Sequence, residues 1–249
     1  MEIRDQVAII TGGARGIGRA TALALAKAGA RAIVIADQKL DLAAETADLV
    51  RDAGAEAHVQ PTDVGSVDSL RELFRETADR FGALGILHNN AAVGEGADEW
   101  PTVDPSRVEA ILDVNLRGVV LGTQMALPLM HRGGGGAIVN TASGAAFTPL
   151  PPQAVYAASK AGVVHFTRSC AALAKSHGIR VSCVCPGLVE TPMIQDSGPD
   201  GPWPWLQQVI DAVEMLQPED IARAVVELVE DPESAGRVVK LENRPRQDR

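Results

Sequence analysis

Short aliphatic runs alternate with longer amphipathic stretches along nearly the whole chain. The first run, Val-Ala-Ile-Ile-Thr at 7–11, has the length and β-branched content of a buried strand. Residues 17–28, rich in alanine and leucine, predict a helix. The same rhythm predicts strands at 31–37, 56–61 and 84–89, separated by helices at 40–53 and 66–81 that stop at Gly54 and Gly82. In the second half one long helix is predicted over 105–132, with Pro105 near its start and the glycine run 133–136 as its end. A strand at 137–141, a second long helix at 154–177 and a strand at 179–185 follow. A helix at 218–230, with Pro218 suited to its first turn, and a last strand at 237–241 complete the pattern.

Strands that alternate with helices require parallel crossovers, which bury both faces of a sheet. The predicted fold is therefore α/β: a Rossmann-type, doubly wound parallel sheet of about seven strands. No stretch is rich enough in linker residues to divide the chain, so residues 1–249 read as a single domain.

Composition adds boundaries to this picture. Hydrophobic residues make up 46% and charged residues 22%, enough for a sizeable core. Aromatics are only 3%, so aliphatic side chains must fill it. A net charge of −9 repels phosphate backbones and disfavours nucleic acid as a partner. The basic residues of the tail, Arg244, Arg246 and Arg249, read as a solvated end. Three cysteines, Cys170, Cys183 and Cys185, are too few and odd in number for a disulfide framework. Cys183 and Cys185 alternate along a buried strand, which favours packing. No paired His/Cys spacing suggests a metal, and none is expected. No apolar run reaches the roughly 18 residues that span a bilayer, and no secretory signal pattern precedes the first strand. The expectation is a cytoplasmic protein with no membrane partner.

Chemistry enters at the first strand–helix junction, Thr11-Gly12-Gly13-Ala14-Arg15-Gly16-Ile17-Gly18. Glycines let the chain turn sharply and let backbone approach a pyrophosphate, while the following helix aims its free N–H groups at the phosphates. The missing Gly-Lys-Ser/Thr excludes a Walker-type loop. Asp37 ends the second strand about 20 residues beyond the last loop glycine, where this motif places a ribose-binding acid. Its carboxylate suits the ribose hydroxyls and repels a 2′-phosphate, which predicts NAD rather than NADP; Arg15 beside the loop pulls the other way. Farther on, Tyr156 and Lys160 stand four apart near a helix start and so share one face.

With these residues the sequence resembles the classical short-chain dehydrogenase/reductase family over nearly its whole length. The glycine motif, Asn89-Asn90-Ala91-Ala92, Asn115, Ser143, the Tyr156/Lys160 pair and Pro186-Gly187 with Thr191 occur in family order. The resemblance implies Tyr156 as general acid/base, with a pKa of about 10 when free that Lys160 shifts toward tyrosinate. It implies that Lys160 also holds the nicotinamide ribose, that Ser143 positions the substrate oxygen and that Asn115 fixes a water in a proton relay. Cofactor contacts are implied for Asp63 and Val64 at the adenine, for Asn89 and Ala91 beside the cofactor, and for Val189 and Thr191 at the carboxamide and phosphates. Ala92 replaces the glycine usual in the family, an added methyl of little expected consequence.

The family's mobile substrate lid corresponds to residues 188–216, which carry Met193, Trp203, Pro204 and Trp205 but no Lys or Arg. The tryptophans are expected either to line an apolar pocket or to anchor the lid. With Ala145, Phe147 and Pro149 they favour a hydrophobic secondary alcohol or ketone as the small-molecule substrate, and the acids of the segment disfavour a strongly anionic one. The charged tail from Val238 to Arg246 is a poor buried tetramer contact, so a homodimer through the helices from Pro105 and Ala154 is expected, with a homotetramer left open. Alternatives are a 3-oxoacyl reductase, disfavoured by Asp37, a dehydratase or epimerase on the same fold, and a non-catalytic NAD(H)-sensing regulator.

Overall fold

The computed structural model describes all residues except 95, 97, 98, 199 and 247–249. Its strands are β1 (Val7–Thr11), β2 (Ala32–Asp37), β3 (Glu56–Pro61), β4 (Ile86–Asn89), β5 (Gly136–Thr141), β6 (Ile179–Pro186), β7 (Val213–Glu214), β8 (Val238–Leu241) and β9 (Arg244–Pro245). Between them run α1 (Gly16–Lys27), α2 (Leu40–Asp52), α3 (Val67–Phe81), α4 (Pro105–Leu112), α5 (Gly118–Arg132), α6 (Ala154–Ser169), α7 (Leu173–His177), α8 (Pro192–Gln195), α9 (Pro204–Ala212) and α10 (Pro218–Glu230). A seven-stranded sheet in the order β3-β2-β1-β4-β5-β6-β8 is parallel at every pairing. This is the doubly wound fold expected from the alternation of runs.

The aliphatic runs become strands because both faces of the sheet are covered. Every residue of β1 and β5 is buried. One face packs Ala8, Ile10, Ile33 and Ile35 against α1, α2 and α10; the other packs Ile9, Val34 and Leu87 against α3 and α5. Helix starts follow local chemistry. The Ser66 hydroxyl accepts from the Ser69 N–H, Asp104 caps α4 through the Ser106 N–H, and Gln217 forms a reciprocal capping box with Asp220.

Three regions depart from the periodicity. The long helix over 105–132 contains a π turn at Asp113–Arg117, where the Gly118 N–H reaches back five residues to the Asp113 carbonyl. The helix expected over 154–177 breaks at a 3₁₀ turn, Cys170–Ala172, before the short α7. The tail is more ordered than a solvated end: Arg244–Pro245 pairs antiparallel with Val213–Glu214, although its side chains stay exposed. Arg249 lies outside the described residues.

Candidate active site

The crevice forms between β1 and β4, where the chain winds away on either side and the following loops part. Two adjoining cavities occupy this carboxyl edge. The inner one, about 360 Å³, is walled by the glycine loop, the end of β2 and the segments after β4, β5 and β6. The outer one, about 600 Å³, lies between the loop after β5, residues 188–216 and the end of β8. Ser143, Tyr156, Pro186 and Gly187 belong to both walls.

The glycine loop is built for close backbone approach. Gly12 holds φ at +63°, and a Cβ there would stand 3.0 Å from Ala91 Cα. A Cβ on Gly18 would lie 2.1 Å from the Gly12 carbonyl oxygen, so α1 seats against the loop only because that position has no side chain. Gly18 is thus a packing residue behind the wall, whereas Gly12, Arg15, Gly16 and Ile17 are on it. Arg15 is the N-cap of α1 but supplies no side-chain cap. The free N–H groups at this helix start suit an anion such as a pyrophosphate.

Asp37 lies on the inner wall with its carboxylate held at both oxygens: Oδ2 accepts from the Ala14 N–H (3.0 Å) and Oδ1 from the Lys39 N–H (2.9 Å). Val64 and Thr62 face the cavity, whereas Asp63 lies off the wall, its Oδ1 accepting from the Gly65 N–H. Asn89 points into the core, where its amide donates to Asn140 Oδ1 (2.9 Å). Asn90, not singled out from the sequence, takes the wall position; its N–H donates to Thr11 Oγ1 and its side-chain amide to the Thr11 carbonyl. The alternation of a strand puts 89 and 90 on opposite faces, a signal available in the sequence. Ala91, Pro186, Gly187, Val189 and Thr191 all line the inner cavity. These residues fit a dinucleotide: a bare backbone cradle, an uncapped helix start and an acid at the second strand's end.

Lys160 is the one fully buried lysine or arginine among the described residues. It sits one turn beyond Tyr156 on α6, with Nζ donating to the Thr141 carbonyl (2.8 Å) and lying 5.7 Å from the centre of the Tyr156 ring. Loss of water lowers its pKa to about 8. Beneath it, His88 is wholly buried with Nε2 2.8 Å from Thr141 Oγ1; desolvation lowers its pKa to about 3 and keeps it neutral. The half-buried Tyr156 therefore stands beside a dry, localised positive charge. Ser143 begins a 3₁₀ turn, its Oγ accepting from the Ala145 N–H (3.1 Å). Asn115 is buried in the π turn off both walls; its amide pairs with both backbone groups of Val93 and reaches Ser159 Oγ (3.3 Å).

The outer wall is mainly apolar, with Phe147, Leu150, Met193, Leu206 and Val209. The two tryptophans divide the roles expected of them. Trp203 is off the wall and anchors its segment by donating to the Gly96 carbonyl (3.1 Å), while Trp205 lines the cavity and donates to Glu99 Oε1 (2.7 Å). Arg107 and Lys240 also reach this wall, from α4 and β8. Counting charge only within 188–216 missed both. Cys185 adds to its packing role a place on the outer wall, 3.9 Å from Cys183 sulfur to sulfur. Among the described residues no cluster of three or more His, Cys, Asp or Glu is placed to hold a metal, and no helix is long and apolar enough to cross a membrane.

Known proteins resemble this chain in sequence and in fold. The chain is 34% identical to a 3-oxoacyl-[acyl-carrier-protein] reductase of Synechocystis, over 92% of this chain and 91% of that one. It is 33% identical to the bovine 15-hydroxyprostaglandin dehydrogenase [NAD(+)], over 97% and 92%. The crystal structure of levodione reductase superposes with a TM-score of 0.88 at 31% identity, covering 96% of each chain. The family profile described as short chain dehydrogenase matches residues 6–201, which include the glycine loop and the Tyr156/Lys160 pair. On that match, and on relatives that span almost the full length, the chain belongs to the short chain dehydrogenase family.

Proposed function

We propose that this protein is an NAD-dependent oxidoreductase that interconverts a hydrophobic secondary alcohol and its ketone, with Tyr156 as general acid/base. The observation that carries the reading is the buried Lys160 ammonium beside Tyr156 on the wall shared by the two cavities. A nearby cation favours the phenolate, so Tyr156 can take the hydroxyl proton during oxidation and return it during reduction. Ser143 Oγ orients the substrate oxygen, and Lys160 also holds the nicotinamide ribose. Asn115, fixed in the π turn against Val93, holds a water on the proton path from Lys160. Nicotinamide, when bound, supplies the hydride acceptor or donor.

In this reading Gly12, Arg15, Gly16 and Ile17 hold the pyrophosphate, and Asp37 takes the adenosine ribose. Val64, Ala91, Pro186, Gly187, Val189 and Thr191 complete the cradle. The negative Asp37 at the ribose end supports NAD over NADP, as does a relative whose name specifies NAD(+). Residues 188–216 act as the substrate lid. A homodimer through α4, α5 and α6 belongs to the same reading, and the exposed Leu112 at the end of α4 supports it; mass photometry that finds only monomer removes the dimer. Free Cys170, Cys183 and Cys185 suit a reducing, cytoplasmic setting.

The similarity to a 3-oxoacyl reductase favours a second substrate class, an oxoacyl chain on a carrier. The test is a panel of hydrophobic secondary alcohols with NAD, followed by NADH absorbance, beside Tyr156→Phe, which removes the chain's only tyrosine. Turnover that falls by at least ~100-fold in the variant supports the reading. Equal activity in the variant removes Tyr156 from the chemistry. Turnover confined to acyl-carrier substrates with NADPH selects the alternative.

A further inference from the structure

Most charges on or near the outer wall are already answered. Arg15 faces Asp196 at 3.5 Å, Glu99 accepts the Trp205 indole N–H, and the exposed Lys240 lies over the Phe147 ring, 3.9 Å from its centre. Glu242 is exposed. Arg107 differs. It is half-buried, and its Nε donates to the Gly94 carbonyl at 2.8 Å, which fixes the plane of the guanidinium. Its Nη groups have no carboxylate partner among the described residues. The Gln153 amide lines the same cavity and lies 3.6–3.9 Å from where a Gly94 Cβ would stand. A guanidinium and an amide thus meet around Gly94 in a mainly apolar chamber.

We propose that Arg107 binds a carboxylate of the substrate, so that the preferred substrate is a hydroxy- or oxo-carboxylic acid with an apolar body between its two polar ends. This rests on the reading of Tyr156 and Ser143 as the end that meets the reacting oxygen. The guanidinium is planar and offers paired N–H donors, the geometry a carboxylate accepts from two sides. Half burial strengthens such a charge-assisted bond relative to the open surface. Phe147, Met193, Leu206 and Val209 supply the apolar surface for the body. Gln153 gives the carboxylate a further donor.

The test is calorimetric binding of cyclohexanecarboxylate and of cyclohexanecarboxamide to the protein saturated with NADH. Wild type, Arg107→Gln and Lys240→Gln are compared. The acid is expected to bind at least roughly ten-fold more tightly than the amide in wild type and in Lys240→Gln. In Arg107→Gln that preference is lost while amide binding persists. Equal binding of the two ligands by wild type, or a preference that survives in Arg107→Gln, overturns the proposal. Should Arg107→Gln lose both ligands, Arg107→Met, which keeps an apolar stem, decides: amide binding without an acid preference supports the assignment, and a retained acid preference or a second loss of both ligands overturns it. An acid preference that depends on Arg107 in a protein that oxidises no alcohol leaves this subsite standing and removes the catalytic reading, so the two fail separately.

Discussion

Replacing Lys160 by methionine removes a buried charge while keeping an unbranched chain of similar length. Burial lowers the Lys160 pKa to about 8 from its ordinary 10.5. Each pKa unit corresponds to about 1.4 kcal/mol, so holding the proton at pH 7 costs the folded state about 3 kcal/mol. The variant also loses the bond from Nζ to the Thr141 carbonyl, which offsets about 1 kcal/mol. Lys160→Met is therefore expected to be about 2 kcal/mol more stable than wild type at pH 7, although it lacks the group assigned to the chemistry. The pH dependence is the sharper signature. Between pH 8 and 10.5 the folded lysine has lost its proton while the unfolded one keeps it. The unfolded chain then binds more protons, and wild-type stability rises with pH. From pH 7 to pH 9 the advantage of the variant shrinks by about 1 kcal/mol. Urea unfolding of both proteins without cofactor, at one protein concentration and at both pH values, measures this gap. A gap that stays constant would mean that Lys160 titrates near its ordinary value, and the dry ammonium beside Tyr156 would have to be abandoned.

Other outcomes follow from the same geometry. Asp37→Ser removes the carboxylate from the inner wall and should lower kcat/KM for NAD by roughly 10- to 100-fold while raising that for NADP; unchanged selectivity would release Asp37 from the ribose assignment. Gly18→Ala drives a methyl into the Gly12 carbonyl oxygen, so α1 must shift and cofactor binding measured by fluorescence titration should be lost or severely weakened. Normal affinity in that variant would contradict the close seating of helix on loop. Trp203→Phe deletes the bond to the Gly96 carbonyl, worth about 1 kcal/mol, and should speed limited proteolysis within residues 188–216. An unchanged cleavage rate would mean that this indole does not anchor the segment.

The inner strands β1, β2 and β5 were legible in the chain because each is a short aliphatic run covered on both faces, and such burial leaves a local signature. The glycine loop was legible too, since backbone approach needs glycine at set positions, and so was the shared face of Tyr156 and Lys160, since a helix repeats every 3.6 residues. The breaks at Asp113–Arg117 and Cys170–Ala172 carry no comparable pattern; they arise where long helices meet the rest of the fold. The pairing of Val213–Glu214 with Arg244–Pro245 joins residues about 30 apart, which no local window can relate.

Tertiary structure alone decided the electrical character of the site. Lysine and arginine are ordinarily solvated, and nothing near Lys160 in the sequence announces that β5 will close over it and strip its water. Arg107 and Lys240 lie 133 positions apart (240 − 107) and enter one cavity only because the start of α4 and the end of β8 both lie at its rim. Spacing along the chain determined which chemistry the residues can perform; dielectric and charge balance depend on what the distant parts of the chain bring alongside, and these exist only once the chain has folded.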